Sequence, residues 1–257
     1  MPILKCKTHI EVYEHRAYAK DSHELSGRGD KKYLTKFISH NILTEVQPKK
    51  MDTIVDIGCG DGTLLKIIND NIKTTIGVLP TKAEITRIGL DIKNTDNVSL
   101  LQGTVQCTNI HSSIADIVIC NGVLMYVGNT EVDLALKEMA RITKKDGKIY
   151  LGEVSSIDEY KDKKFGSSIF LWLTWTLKNQ GVYAFTSRLK QTLTAIISNE
   201  PLVVGPKSHF FSDPAQLIER AKKNGLRTEK YFRHIELNGS RDPIINNNRW
   251  NYIFLKD

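Results

Sequence analysis

The sequence of 257 residues has few cysteines, and their positions exclude two common roles. They show neither C-x-x-C spacing nor the pattern of a disulfide framework. The four are Cys6, Cys59, Cys107 and Cys120. The seven histidines are scattered, without the H-x-x-x-H spacing or the interleaved carboxylates of a metal site. We therefore expect a reducing compartment and no metal centre.

Long hydrophobic runs are also missing. No stretch approaches the roughly 18 consecutive apolar residues of a membrane-spanning helix. The first nine residues, MPILKCKTH, lack the apolar core of a signal peptide. The hydrophobic fraction of 40% and the charged fraction of 25% are ordinary for a globular protein with one full core. We expect a soluble, cytoplasmic protein.

Positive charge is present but not concentrated. The net charge is +7, and the lysines and arginines are spread along the chain instead of forming one block. Such a balance favours acidic or phosphorylated partners. The lack of a clustered basic face argues against a nucleic-acid-binding role.

Glycine, by contrast, is concentrated in one place. Residues 53–65 read TIVDIGCGDGTLL, which predicts a buried strand, a glycine-rich turn and the start of a helix. Asp56 interrupts the apolar run just before the turn, and Gly58, Gly60 and Gly62 follow at every second position. Glycines there permit a tight turn and the close approach of a ligand to the backbone. In an open α/β sheet, ligands bind beyond the carboxyl ends of such strands.

Two nucleotide-binding patterns do not fit this stretch. The third glycine comes one residue too early for G-x-G-x-x-G, and no lysine follows Gly62 as a phosphate-binding loop requires. The stretch instead resembles the D-x-G-x-G-x-G motif I of class I S-adenosylmethionine (SAM)-dependent methyltransferases. The resemblance implies SAM as the cofactor. It also implies a Rossmann-like α/β fold with a seven-stranded, mostly parallel sheet, an antiparallel last strand, N-terminal helices and a helical lid insertion.

The pattern along the chain agrees with that fold, because apolar runs alternate with helical periodicity. Strands are predicted at 53–57, 74–79, 98–101, 115–121 and 148–154, with a turn at Lys144–Gly147. The last two strands are predicted at 226–237 and 251–255, joined by a loop containing Asn246, Asn247 and Asn248. We divide the single domain into an N-terminal helical lid (1–47), a SAM-binding core (48–154), a helical substrate cap (155–211) and a C-terminal helix and β-hairpin (212–257).

The resemblance also implies which residues bind the cofactor. Asp56, Gly58, Gly60 and Gly62, with Cys59 in the same loop, face its methionine and ribose portions. Asn121 lines the methionine side. The backbone near Val105 is placed to bind adenine. Arg28 is assigned to the methionine carboxylate, together with Tyr18, because of charge complementarity.

Two positions depart from the family pattern. Leu79 stands where an acid usually accepts hydrogen bonds from the ribose hydroxyls, and Thr104 stands where a carboxylate usually contacts adenine. Either other groups hold the ribose, or Thr81 or Glu84 contributes.

Methyl transfer requires alignment, exclusion of water and, for a hydroxyl acceptor, removal of a proton. The candidate bases are Glu153, at the end of the fifth strand, and His209, with Tyr126 as an orienting group. We expect O-methylation of a small-molecule or saccharide acceptor. The alternatives are an RNA methyltransferase and a non-catalytic relative that works through a partner. RNA is disfavoured and DNA is not expected, since the Asn-Pro-Pro-Tyr signature of base methylation is absent.

The cap segment is rich in aromatic residues. A helix predicted over Ile169 to Leu177 is apolar nearly all round, so it must be buried or dock on something. Three uses stay open: packing on the sheet edge, forming an aromatic wall of the substrate pocket, or a weak contact with a membrane surface. The oligomeric state is also open.

Overall fold

The computed structural model describes residues 3–19, 21–28, 31–68, 72–92, 96–157, 202–204 and 210–257, and the single residues 174, 177, 178, 182, 185, 186 and 189. The helices of this part are α1 (His9–Ala17), α2 (Lys32–Val46), α3 (Thr63–Ile68), α4 (Lys82–Asp91), α5 (Val132–Ile142) and α6 (Pro214–Lys223). The strands are β1 (Ile3–Lys5), β2 (Thr53–Ile57), β3 (Thr74–Leu79), β4 (Val98–Gln102), β5 (Ala115–Asn121), β6 (Thr143–Ser155), β7 (Leu202–Val204), β8 (Leu226–Leu237) and β9 (Pro243–Lys256).

Seven strands form the central sheet, in the order β4-β3-β2-β5-β6-β9-β8. The neighbours from β4 to β6 are parallel, whereas β9 is antiparallel to both β6 and β8. The strand order turns back between β2 and β5, so the loops after these two strands diverge to opposite sides. Such a point is where an open α/β sheet leaves a crevice for a ligand. The predicted fold is confirmed.

Both faces of the sheet are covered by helices. On β2, Ile54 packs in one core cluster with Ile38 and Ile42 of α2, while Val55 packs in another with residues of α5 and α6. Successive side chains of a strand point to opposite faces, so a continuous apolar run such as β2 is suited to burial on both sides. The sheet is therefore held rigidly, and the loops at its carboxyl end have a fixed base.

Two predicted loops belong to strands. Lys144–Gly147, predicted as a turn, lies within β6, where the register jumps from the Thr143–Ala115 pair to the Lys148–Ile117 pair. Asp146 takes a positive φ of 61° inside this bulge. The Asn-rich segment, predicted as a loop, lies within β9, and the hairpin connection is formed by Asn238–Asp242 instead.

A short parallel pair joins β1 to β7 outside the central sheet. β7 falls inside residues 155–211, which were predicted to be helical, so this prediction was incomplete. The remainder of the proposed aromatic helix, including Trp172 and Trp175, lies outside the described residues. Thr174, Leu177 and Lys178 are helical.

Candidate active site

A cavity of about 1420 Å³ opens at the carboxyl ends of β2, β3, β4 and β5. Its wall comes from the loops that follow these strands and from the N-terminal segment, which includes α1, the start of α2 and the turn between them. The sheet supplies the floor and the first 42 residues supply much of the cover. This is the position at which an α/β sheet binds its ligands.

The glycine-rich loop after β2 takes a backbone path that side chains rarely adopt. Gly58, Gly60 and Gly62 have φ values of 72°, 56° and 70°. A Cβ on Gly58 would lie 2.4 Å from Val123 Cγ2, and one on Gly60 would lie 3.1 Å from the Leu25 carbonyl oxygen. Gly58 and Gly60 line the cavity. Their missing side chains therefore let other segments approach the loop closely.

Gly62 has a different role from the one predicted. A Cβ at this position would meet Ile88 Cγ2 and Ile92 Cδ1, each at 3.0 Å, so Gly62 packs against α4. It is not among the residues that line the cavity. Cys59 does line it, but its thiol is buried beside Leu65 and Leu79. Burial raises the pKa of Cys59 well above its usual value, so the thiol is neutral.

Asp56 lies at the cavity floor with only 5% of its surface exposed. Burial, and to a lesser extent the nearby Asp61, raises the pKa of Asp56 to about 7. A positively charged ligand beside it would reverse this effect. A buried acid with a raised pKa in a cleft is characteristic of a functional site.

Asp61 was not singled out from the sequence, yet it joins the loop to the N-terminal segment. Its Oδ1 accepts a hydrogen bond from the Thr63 amide at 3.0 Å, which caps the start of α3. Its Oδ2 lies 2.5 Å from His23 Nδ1. Both side chains are buried. An aspartate just before a helix is a sequence signal for an N-terminal cap. The contact of Asp61 with His23, 38 positions away, has no such signal.

The two positions that depart from the family pattern, Leu79 and Thr104, lie at the end of β3 and just after β4. Leu79 is the last residue of β3 and pairs with Gln102 at the end of β4, so no carboxylate stands at either predicted position. Leu79, Thr104 and Val105 all line the cavity. The Thr104 amide is used in a bridge to the Cys107 carbonyl at 2.9 Å.

Glu84 lies near this end of the cavity and lines it. It accepts hydrogen bonds from the Thr81 amide at 3.1 Å and from the Thr81 hydroxyl at 2.7 Å, forming the capping box of α4. Burial raises the pKa of Glu84 to about 7 despite these bonds. Glu84 therefore places an acid in the cavity wall shortly after β3, the strand that ends in Leu79.

Glu153, near the end of β6, is held by two arginines. Its carboxylate accepts hydrogen bonds from Arg28 Nη2, from Arg249 Nη1 at 2.5 Å and from Asn121 Nδ2 at 2.9 Å. Burial alone would raise the pKa of Glu153, but the two guanidinium groups outweigh it and hold the pKa well below the usual range. A carboxylate so stabilised is a poor proton acceptor at neutral pH. The structure therefore disfavours Glu153 as the base.

Asn121 ends β5 and faces the same cluster. Its Oδ1 is buried without a hydrogen-bond partner among the described residues. A buried polar atom with no partner carries a free-energy cost that a bound ligand can remove. It lies on the cavity wall next to the glycine-rich loop, since Gly58 contacts Val123 two residues further on.

Tyr126 belongs to an aromatic group that covers the cavity. The hydroxyl of Tyr13 donates to that of Tyr126 at 3.1 Å, and the ring of His9 lies 4.6 Å from the Tyr126 ring. Burial raises the pKa of Tyr13 well above its usual value, so this hydroxyl remains a donor. Tyr18, which was predicted to help bind the methionine carboxylate, is 78% exposed and does not line the cavity. His209 lies outside the described residues.

The comparisons with known proteins agree with this geometry. A family model described as "Methyltransferase domain" matches residues 55–151, from β2 to the middle of β6. YrhH of Bacillus subtilis, whose name assigns it provisionally to the methyltransferases, is 27% identical over 158 residues, covering 60% of this chain and 85% of YrhH. A protein from Methanocaldococcus jannaschii, MJ1252, is 24% identical over 255 residues, covering 93% of this chain and 91% of MJ1252.

Among solved structures, the fold matches the N-methyltransferase NodS from Bradyrhizobium japonicum, which was determined in complex with S-adenosylhomocysteine (SAH). The TM-score is 0.59 at 12% identity, covering 97% of this chain and 99% of NodS. Residues 55–151 thus match a methyltransferase domain, and the fold of the chain is that of SAM-dependent class I methyltransferases.

The residues present at the site fit SAM. Gly58 and Gly60 bring the backbone of the loop to the cavity wall, Asp56 offers a carboxyl group to the positively charged donor, and Asn121 Oδ1 is a buried acceptor without a partner among the described residues. When bound, SAM supplies a methyl group on an activated sulfonium. Around it, the methyltransferase contributes alignment by the loop and exclusion of water by α1 and the turn after it.

Neither a metal-binding cluster nor a membrane-spanning helix is present in the part of the chain that the structure describes. No group of three or more His, Cys, Asp or Glu side chains there could hold a metal ion. None of the helices in the described ranges is both long and apolar enough to cross a membrane.

Proposed function

We propose that the methyltransferase transfers the methyl group of SAM to a hydroxyl of a small-molecule acceptor, with a saccharide as one such class. The observation that supports this most directly is the cover over the cavity. The N-terminal segment is fixed to the motif I loop by the His23–Asp61 contact and by the Leu25 carbonyl packed against Gly60. A cavity that is partly covered in this way suits a small acceptor, whereas a nucleic-acid strand needs an open, basic groove.

The size of the cavity supports the same proposal. Ligand pockets in proteins usually measure about 300–1,000 Å³. The cavity here has about 1420 Å³, so it has space for the donor and for an additional small molecule. The acceptor would lie between the motif I loop and the aromatic residues of the cover.

The proposed route for the proton runs through His9. In methyl transfer to a hydroxyl, the acceptor oxygen forms a bond to the methyl carbon while the carbon–sulfur bond breaks, and the electron pair stays on sulfur to give SAH. The hydroxyl proton then needs an acceptor. We assign it to His9, whose ring contacts Tyr126 on the cavity wall, and we assign orientation of the hydroxyl to Tyr126 and Tyr13.

Glu153 has a positioning role in this proposal. Its two oxygens bind Arg28 and Arg249, and its low pKa keeps it ionised. Its task is to fix these arginines in the cavity wall. His209, predicted as a second candidate base, stays a prediction. The proposed location is the cytoplasm, a choice that the four free cysteines support.

The test is to measure SAH formation with labelled SAM and three groups of acceptors: hydroxylated small molecules including sugars, matched amines, and total RNA. We expect transfer to a hydroxyl compound and identify the methylated atom by mass spectrometry. The variant His9→Gln should lower kcat at neutral pH and leave SAM affinity unchanged. Transfer to RNA alone would contradict the small-molecule proposal. SAM binding without transfer to any acceptor would favour a non-catalytic role through a partner.

A further inference from the structure

The Arg28–Glu153–Arg249 cluster brings together side chains from three separated parts of the chain. Arg28 follows the turn after α1, Glu153 is near the end of β6, and Arg249 lies on β9. All three line the cavity. Their side chains are 18%, 7% and 26% exposed, respectively, so the arginines reach the cavity surface while the carboxylate lies beneath them.

The cluster holds its arginines in fixed positions. Arg28 is bound by Glu153 Oε1 and, through Nη1, by the Ser26 carbonyl at 3.3 Å, while Arg249 is bound by Glu153 Oε2. The Glu153 amide in turn donates to Asn251 Oδ1 at 3.0 Å, and Asn121 Nδ2 donates to Glu153 Oε1. A guanidinium held in this way loses little conformational freedom when it binds a ligand.

The charges of this wall favour an anion. Two guanidinium groups share one carboxylate, and the nearby pair of Lys31 and Glu236 adds one charge of each sign to the cavity lining. An arginine presents five N–H donors in a planar fork, which matches the oxygen atoms of a carboxylate or phosphate. Asp56 and Glu84 line other parts of the same cavity, where no arginine binds them.

The cluster is also adjacent to the donor site. A Cβ on Gly122 would lie 3.9 Å from Glu153 Cδ, and Gly122 directly follows Asn121 in the loop that contacts Gly58 through Val123. A group bound by the arginines would therefore lie beside the loops that are assigned to the donor.

We propose that the acceptor carries a carboxylate or phosphate group and that Arg28 and Arg249 bind this group beside the methyl donor. Arg28 then serves the acceptor and not the methionine carboxylate to which it was assigned from the sequence. The inference rests on the methyl-transfer function proposed above and adds the chemical class of the acceptor. Because Arg28 belongs to the N-terminal segment and Arg249 to the sheet, the anion site is complete only when that segment is docked. Binding of an anionic acceptor would then also stabilise the closed cover.

The test compares three probes of similar shape on protein loaded with SAH: benzoate, phenyl phosphate and the uncharged benzamide. Isothermal titration calorimetry first measures SAH affinity and then the affinity of each probe. We expect at least one anionic probe to bind about tenfold or more tightly than benzamide, as hydrogen bonds to charged groups allow. The ratio between benzoate and phenyl phosphate identifies which anion the site prefers.

Two variants of Arg249 separate charge from structure. Arg249→Gln should abolish the preference for the anionic probes and leave SAH affinity unchanged, whereas Arg249→Lys should retain part of it. Arg227→Gln is the matched control, because Arg227 is an exposed arginine on β8 that does not line the cavity. The Arg227→Gln variant should change neither the affinity for SAH nor the affinity for the anionic probes.

The outcomes distinguish this inference from the function on which it rests. If SAH does not bind, the assignment of the cofactor site fails. If SAH binds but benzamide binds as tightly as the anions, only the inference fails. It is also overturned if Arg249→Gln keeps the preference, or if that variant loses SAH affinity, since Arg249 would then serve the donor.

Discussion

The buried acids that line the cavity differ in their pKa values. Asp56 and Glu84 lie among apolar groups, and burial raises both of their pKa values to about 7. Glu153 is buried as well, but two arginines keep it ionised. Ionisation of Asp56 and Glu84 thus depends on what binds beside them, while Glu153 is ionised at neutral pH.

Replacement of Asp56 by Asn should separate binding from stability. The amide keeps the shape of the side chain but cannot carry the negative charge, so SAM affinity should fall by about tenfold or more. Stability should not fall at pH 8. The raised pKa of Asp56 means that its contribution to stability is complete below its usual value of 3.8 and is lost as the pH rises through about 7. Calorimetry with SAM and chemical unfolding measure the two effects. Unchanged SAM affinity would contradict the assignment of motif I.

SAM affinity should also depend on pH through this residue. A donor with a positively charged sulfonium and ammonium favours the ionised carboxylate. With a pKa of about 7, Asp56 is mostly protonated at pH 6 and mostly ionised at pH 8. SAM affinity should therefore rise roughly tenfold over this interval, with release of a proton on binding. Titrations in two buffers of different ionisation enthalpy count that proton. The Asp56→Asn variant should give a much flatter profile; an equally steep one would assign the effect to another group.

Contacts between side chains that are far apart in the chain were the features that the sequence predicted least well. Asp56, Gly58 and Gly60 belong to one local pattern, and the structure places all three at the cavity. The Arg28–Glu153 and His23–Asp61 pairs span 125 and 38 positions, and spacing does not indicate such pairs. Arg249 and His9 were missed for the same reason, because their importance depends on tertiary contacts alone.

At the scale of elements, strand prediction succeeded for three short apolar strands rich in β-branched residues and for the longer, more polar β8. β2, β3, β5 and β8 have the predicted bounds. The predictions failed where a strand continued through residues with turn-like composition, as in the β6 bulge and the Asn-rich part of β9. There, hydrogen bonding to a neighbouring strand overrides local preference. β1 and β7 have three residues each, too few for a periodic pattern.

The turn at Gly60 connects the glycine-rich loop with the N-terminal cover, and Gly60→Ala should weaken this connection. Alanine at a φ of 56° is strained by roughly 1–2 kcal/mol. Its Cβ would also lie 3.1 Å from the Leu25 carbonyl, so the cover must shift. We expect lower stability, lower SAM affinity and faster proteolytic cleavage of the N-terminal 30 residues or so.

Gly225→Ala is the matched control for this substitution. Gly225 has a similar φ of 75°, yet an added Cβ would meet no atom within 4 Å. It should lose a comparable amount of stability, measured by chemical unfolding, and keep its SAM affinity and its protease resistance. If both variants lose SAM affinity equally, the effect of Gly60 is general destabilisation and not displacement of the cover.

For the whole molecule, SAM should act as a structural component as well as a substrate. Asp56, the glycine-rich loop and the loops after β3, β4 and β5 all meet at the cavity, and the N-terminal segment closes over them. A ligand that binds only the folded chain stabilises it by about 2.7 kcal/mol at a concentration 100 times its Kd. For a chain of this length the Tm should therefore rise by roughly 5–10 °C.

The control for this measurement is NAD, whose G-x-G-x-x-G pattern the loop does not match. SAM and SAH should both raise the Tm, whereas NAD should not. The Asp56→Asn substitution should lower the Tm shift caused by SAM by more than it lowers the Tm of the protein without ligand. A shift with NAD and none with SAM would mean that the loop has been assigned to the wrong nucleoside. If SAM raises the Tm of wild-type protein and Gly60→Ala shows a smaller rise than Gly225→Ala, the cover contributes to holding the donor. Cofactor binding and closure of the N-terminal segment are then one coupled equilibrium.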